Sequence, residues 1–141
     1  MLSRLLEIAL AQYGLKEVPG VGNNPEIMKY FHCIGQDWVQ GDSTAWCSAF
    51  INWAAKEKGL EYSGKLNARS WLNLGAKCDI KDADIVVLWR ESPESWKGHV
   101  AIPIREDDNY IWCLGGNQSN MVKISAYPKS RVLKYIKLYR L

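Results

Sequence analysis

Apolar residues recur at helical spacing along the first half of the chain and at strand spacing along the second. In MLSRLLEIALAQYGLKE, Leu2, Leu5, Leu6, Ala9, Leu10 and Tyr13 share one face, with Glu7 and Gln12 interrupting the run. That spacing predicts an amphipathic packing helix. Pro19, Gly20, Gly22, Asn23 and Asn24 then break the pattern. Asn24 predicts an N-cap, with Pro25 at the first helical position of a short helix carrying Ile27, Met28 and Phe31. After a polar loop over residues 35–42, Ser43 or Thr44 can cap a third helix. It is expected to run to about Lys58, with Gly59 as its stop and Trp46, Phe50, Trp53 and Ala54 as its apolar face. A shorter helix capped near Asn67 would carry Trp71, Leu72 and Leu74 and end at Gly75.

Beyond that point the period changes. Ile85–Trp89 is a short apolar run of the kind a buried strand shows, and strands are expected over 99–104, 110–114, 122–125 and 132–139. The charged, turn-prone residues 105–109 predict a hairpin. Helices first and antiparallel strands after predict an α+β fold, with residues 1–141 as one domain and a C-terminal sheet of about five strands.

Composition narrows the function. The 141 residues carry 18 Lys+Arg and 15 Asp+Glu, a net charge of +3, with no basic run before the last dozen positions. Such a balance gives no electrostatic footprint for nucleic acid. No apolar stretch reaches the roughly 20 residues that span a membrane, so stable membrane insertion is not expected. The amphipathic start does not read as a signal peptide, which predicts synthesis in the cytoplasm without a self-encoded export signal. The four Cys are then expected to be reduced. Zinc is disfavoured, because there is no Cys-x-x-Cys or paired-His spacing. The seven Trp fit both core and cleft. The two His are the sharper constraint: any imidazole chemistry uses His32 or His99.

Cys47 falls in the first turn of the third predicted helix, where backbone N–H groups and the helix dipole favour thiolate over thiol. A small buried hydrophobe is its bland reading. Cys113 alternates with Trp112 and Leu114 as core would, Cys78 lies in a loop, and Cys33 adjoins His32 at a helix end. His99, after Gly98 at the start of an apolar strand, is placed to hold its ring at a sheet rim, whereas His32 reads as a surface residue. Asn117, in LGGNQSN, follows the next strand. If the two strands pair, Asn117 can orient the imidazole, with Gly115 and Gly116 allowing close backbone approach; the alternative is a plain turn. A Cys at a helix start, a His at a strand start and an Asn past the next strand, in that order, is the layout of papain-like cysteine hydrolases.

The segments Trp46 to Trp53 (WCSAFINW), Ala68 to Trp71 (ARSW), Asp84 to Arg90 (DIVVLWR), Gly98 to Ile102 (GHVAI) and Leu114 to Asn120 (LGGNQSN) resemble the CHAP and NlpC-like cell-wall cysteine hydrolases, and within them a subgroup of small phage and bacterial proteins. The resemblance spans roughly residues 10 to 140. It implies a papain-like fold, Cys47 as nucleophile, His99 as base and Asn117 as the third residue. Where CHAP domains often place a Glu this chain has Gly115, so Asn117 would act alone or with Gln118. Gln40 stands near the place of the papain-like oxyanion Gln, with the Cys47 backbone N–H as the other donor. Trp46, Trp96 and Gln118 are candidates for the substrate cleft, Trp96 foremost.

The activity implied is hydrolysis of an amide bond in the peptide part of peptidoglycan, as amidase or endopeptidase, with no metal or cofactor. Rivals are an amide-forming acyltransferase with the same dyad, and a non-catalytic wall-binding or phage structural module. The partners implied are peptidoglycan or another amide substrate, and an immunity or inhibitor protein or a phage particle. Action in the periplasm or wall would follow delivery by a pore, a secretion machine or a particle.

Overall fold

The computed structural model describes residues 2–18, 23–36 and 46–141. Among them are helices α1 (Leu6–Leu10), α2 (Pro25–His32) and α3 (Cys47–Glu57). The strands are β1 (Ala76–Lys77), β2 (Ile85–Trp89), β3 (Gly98–Glu106), β4 (Tyr110–Gln118), β5 (Met121–Pro128) and β6 (Val132–Lys137). The fold is α+β. All strand pairs are antiparallel, in the order β1-β6-β2-β3-β4-β5. The sheet has six strands rather than about five. The additional one, β1, is two residues long, too short to show an alternating pattern, and exists through its pairing with β6.

Helix α2 starts as its residues dictate: Asn24 Oδ1 accepts the Glu26 N–H at 3.0 Å, and Pro25 occupies the first turn. Helix α3 is buried from Cys47 through Ala55, because α2 covers one side and β3 and β4 the other. Tyr30 of α2 packs among Trp46, Phe50 and Trp53, with ring centroids 6.2, 5.2 and 5.1 Å away. The sheet is apolar on both faces. Ile85, Val87, Val100, Ile102 and Leu114 join the helices, whereas Val86, Leu88, Ala101, Ile111 and Cys113 form a second cluster. Cover on both faces explains why β2 reads as an unbroken apolar run.

Three expectations change. The opening helix is only Leu6–Leu10, and Leu2, Leu10 and Tyr13 are exposed. Gly14, at φ +89°, turns the chain out of the helix, so that its N–H reaches Val122 O and Lys16 bridges Met121. The segment after Asn67 is a 3-10 helix, Ala68–Asn73. Strand β4, expected to end at Leu114, runs on through the Gly-Gly-Asn for which a plain turn was the alternative. The turn lies later: Ser119 and Asn120, at φ 54° and 62°, form the left-handed pair a tight hairpin needs between Gln118 and Met121. Ser43 and Thr44, the expected caps of α3, lie outside the described residues, and Trp46 stands at the N-cap position.

Gly116 makes the close approach that its sequence context suggests. A Cβ there would lie 2.7 Å from Trp46 Cζ3 and 2.8 Å from Phe50 Cβ, both fully buried. Gly116→Ala is therefore expected to destabilise the fold by about 1–3 kcal/mol through overpacking. The effect would read as a lower urea midpoint at unchanged slope.

Candidate active site

Cys47 is the first residue of α3, so its backbone N–H and its neighbours' point out of the helix end without intrahelical acceptors. His99 is the second residue of β3, paired with Leu88 of β2. Alternation along β3 sends its ring toward the far side of the sheet, where it lies 5.3 Å from the Tyr127 ring. Cys47 approaches from the helix side. The two meet at the end of the strands, each 7% exposed and within hydrogen-bonding reach of the other.

Burial alone would push the Cys47 thiol up. The His99 charge, the hydrogen bond with His99, and the backbone N–H groups of Val100 and Ser48 outweigh it and hold the thiol below its ordinary value. Burial would likewise lower His99, yet the Cys47 thiolate and the bonds to Cys47 and Gln118 raise it above the ordinary value. Both shifts favour one state, thiolate beside imidazolium. The other cysteines move the opposite way. Burial raises Cys113 to about 12, and burial is also the main cause that raises Cys33 and Cys78. His32 is exposed and lies away from this pair.

The expected hydrogen bond from Asn117 to the imidazole is made instead by Gln118, whose Oε1 lies 2.9 Å from His99 Nε2. Its amide orientation is determined on the other side, because Nε2 donates to Cys113 O at 3.2 Å and Lys123 O at 2.6 Å. Oε1 must then accept, His99 Nε2 carries the proton, and Nδ1 is left for Cys47. The cause of the exchange is a bulge. The β4–β5 register shifts between Gly115 and Gln118, and Asn117 stands at φ 57°. This turns Gln118 inward and Asn117 to the cleft wall. Gly115 leaves the room: a Cβ there would lie 2.5 Å from Gln118 Oε1.

The dyad opens into a cleft of about 470 Å³ lined by Cys47, His99 and Asn117, by Leu66 to Ala68, by Arg90 and Glu91, by Trp96 to Gly98, and by Arg131. A second hollow of about 410 Å³ adjoins it on the far side of His99. Trp96, 73% exposed, lines the first, as expected of a cleft residue. Trp46 does not: it is fully buried, with Nε1 donating to Glu17 Oε1 at 2.8 Å. Its ring belongs to the core because the start of α3 is wedged between α2 and β4. Gln40 lies outside the described residues.

The motif segments hold the walls. Ser48 Oγ accepts from Trp71 Nε1 at 2.9 Å and donates to Lys65 O at 2.7 Å. Asn52 accepts the Gly64 N–H at 2.9 Å and donates to Lys65 O at 3.0 Å. Together they fasten the loop before Leu66 onto α3. Arg69 does the same for the opposite wall, donating to Lys97 O, Pro93 O and Ser92 O at 2.8, 2.8 and 3.1 Å. Sequence reading passes over these residues, since a polar side chain bonded to a distant carbonyl leaves no periodic trace. Among the described residues, no three His, Cys, Asp or Glu side chains are grouped to hold a metal.

Comparison of the chain with protein-family models, with curated proteins and with solved structures finds no match.

Proposed function

We propose that the chain is a papain-like cysteine hydrolase of the CHAP and NlpC-like kind, cleaving an amide bond in the peptide part of peptidoglycan. The observation that carries this reading is the state of Cys47. It alone among the four cysteines is shifted toward thiolate, it lies within hydrogen-bonding reach of His99, and it lines a cleft. The order of motifs along the chain supports the family, and the α+β architecture is compatible with it.

In this mechanism the Cys47 sulfur attacks the amide carbonyl carbon, forming a C–S bond, while the carbonyl electrons move to oxygen. The backbone N–H of Cys47, at the helix start and without an intrahelical acceptor, is the donor for that oxyanion. His99 Nδ1–H then protonates the nitrogen, the C–N bond breaks and the amine leaves. Water enters, gives its proton to His99 and attacks the acyl carbon; the C–S bond breaks, releasing the acid and restoring the thiolate–imidazolium pair. Gln118 keeps the ring and its tautomer in place throughout, as a positioning residue. The exposed Trp96 ring is a stacking surface for substrate. Reaction with an amine in place of water would give the acyltransferase outcome with the same residues. On this reading the site of action is the wall or periplasm, reached through a pore, a secretion machine or a particle.

Incubating purified peptidoglycan with wild type and with Cys47→Ala, followed by mass spectrometry of soluble fragments, tests the proposal. New amine and carboxyl ends are expected with wild type only. Equal fragments from both proteins, or none from either, would overturn it.

A further inference from the structure

Three strands end at the same rim. Gly98 and His99 of β3 pair with Trp89 and Leu88 of β2, and Leu88 also pairs with Val132 of β6. This places Arg90, just after β2, and Arg131, just before β6, beside the imidazole. Both arginines line both hollows that flank His99. Arg90 is near enough for its charge to oppose the imidazolium.

Neither guanidinium has a carboxylate partner among the described residues. Among the described residues, the one acidic residue lining either hollow, Glu91, is already paired with Lys97 at 2.7 Å. Arg131 is held in place without being neutralised: its Cζ lies 5.3 Å from the centre of the Trp89 ring, and Trp89 Nε1 donates to Ser130 O at 3.1 Å. Arg90 also helps to lower the exposed Glu91 carboxyl, which Lys97 already holds. Two guanidiniums lining the same two hollows beside a nucleophile, in a chain whose net charge is only +3, concentrate positive charge locally rather than as general basicity.

We infer that Arg90 and Arg131 form a subsite that binds a carboxylate of the substrate next to the Cys47–His99 dyad. The inference rests on the hydrolase reading for its substrate, a peptide, and on the cleft geometry for its charge. The carboxylate has two sources, an acidic side chain in the peptide or a free main-chain terminus, and the guanidinium fork takes either.

Alkylation of Cys47 by iodoacetate and by iodoacetamide, followed at the Cys47 peptide by mass spectrometry, tests the charge without requiring hydrolysis. The iodoacetate-to-iodoacetamide rate ratio is expected to fall about two- to fourfold in Arg90→Gln and again in Arg131→Gln. It should be restored by Arg→Lys at each position and be unchanged in Lys81→Gln, an equal charge loss elsewhere on the surface. Equal ratios in all proteins would overturn the subsite while leaving the nucleophile intact. A wild-type Cys47 that resists both reagents would overturn the reading of Cys47 itself, and the subsite with it.

Peptide fragments amidated at the acidic side chain or at the terminus separate the sources. The amidation that lowers kcat/KM in wild type, but not in Arg90→Gln/Arg131→Gln, identifies the bound group. If neither amidation lowers it, the carboxylate assignment is wrong.

Discussion

His99→Ala is expected to abolish hydrolysis, with kcat falling about a thousandfold or more, and to change the chemistry of Cys47 in a way that truncation elsewhere would not. The thiol is buried, and burial by itself raises it; the shift toward thiolate depends first on the charge and hydrogen bond of His99. Without the ring the thiol should rise above its ordinary value, so alkylation of Cys47 by iodoacetamide at neutral pH should slow strongly and recover only in alkali. In wild type the opposite holds. Lowering the pH through the depressed Cys47 value protonates the nucleophile, and raising it through the elevated His99 value removes the proton needed by the leaving amine. Hydrolysis is thus expected to follow a bell, with an acid limb below the ordinary thiol range and an alkaline limb above the ordinary imidazole range. A wild-type Cys47 that titrates as an ordinary thiol, unmoved by His99→Ala, would show that the two side chains are not coupled.

Gln118→Ala should lower kcat by about 10- to 100-fold, since the imidazole loses the acceptor that holds its tautomer. The same change has a signature in pH. The Gln118 bond is one of the causes raising His99, so its loss should move the alkaline limb toward lower pH. Asn117→Gly keeps the positive φ of that position and removes only the side chain, so its kcat and its bell should stay close to wild type. An alkaline limb that moves with Asn117→Gly and not with Gln118→Ala would return the orienting role to Asn117. Gly115→Ala offers an independent check, because its Cβ would occupy the space of Gln118 Oε1 and should mimic the Gln118 defect.

The contrast between Asn117 and Gln118 shows where sequence reading runs out. Spacing along the chain brings both residues to the end of the strand that follows His99. Choosing between them requires knowing that one residue of β4 is bulged, and a bulge reverses which side chain faces inward. Trp46 poses the same difficulty. The sequence placed it both on the apolar face of its helix and among the cleft candidates; the ring lies in the core while Cys47 lines the cleft. The 3-10 helix at Ala68–Asn73 and the strand β1 were likewise beyond periodicity, being too short to express a period.

What the sequence by itself determined is local. The Asn24-Pro25 start of α2, the burial of α3, the run of β2 and the position of Cys47 at a helix start and His99 at a strand start all follow from neighbours a few residues apart. The tertiary structure alone decided what lies far apart in the chain. It set the approach of Cys47 to His99, the amide of Gln118 folded into the space at Gly115, and the wall held by Arg69. It also brought Arg90 and Arg131 to one rim. The physical reason is that strand pairing and register, not composition, set which distant side chains share a surface, and one inserted residue is enough to exchange them.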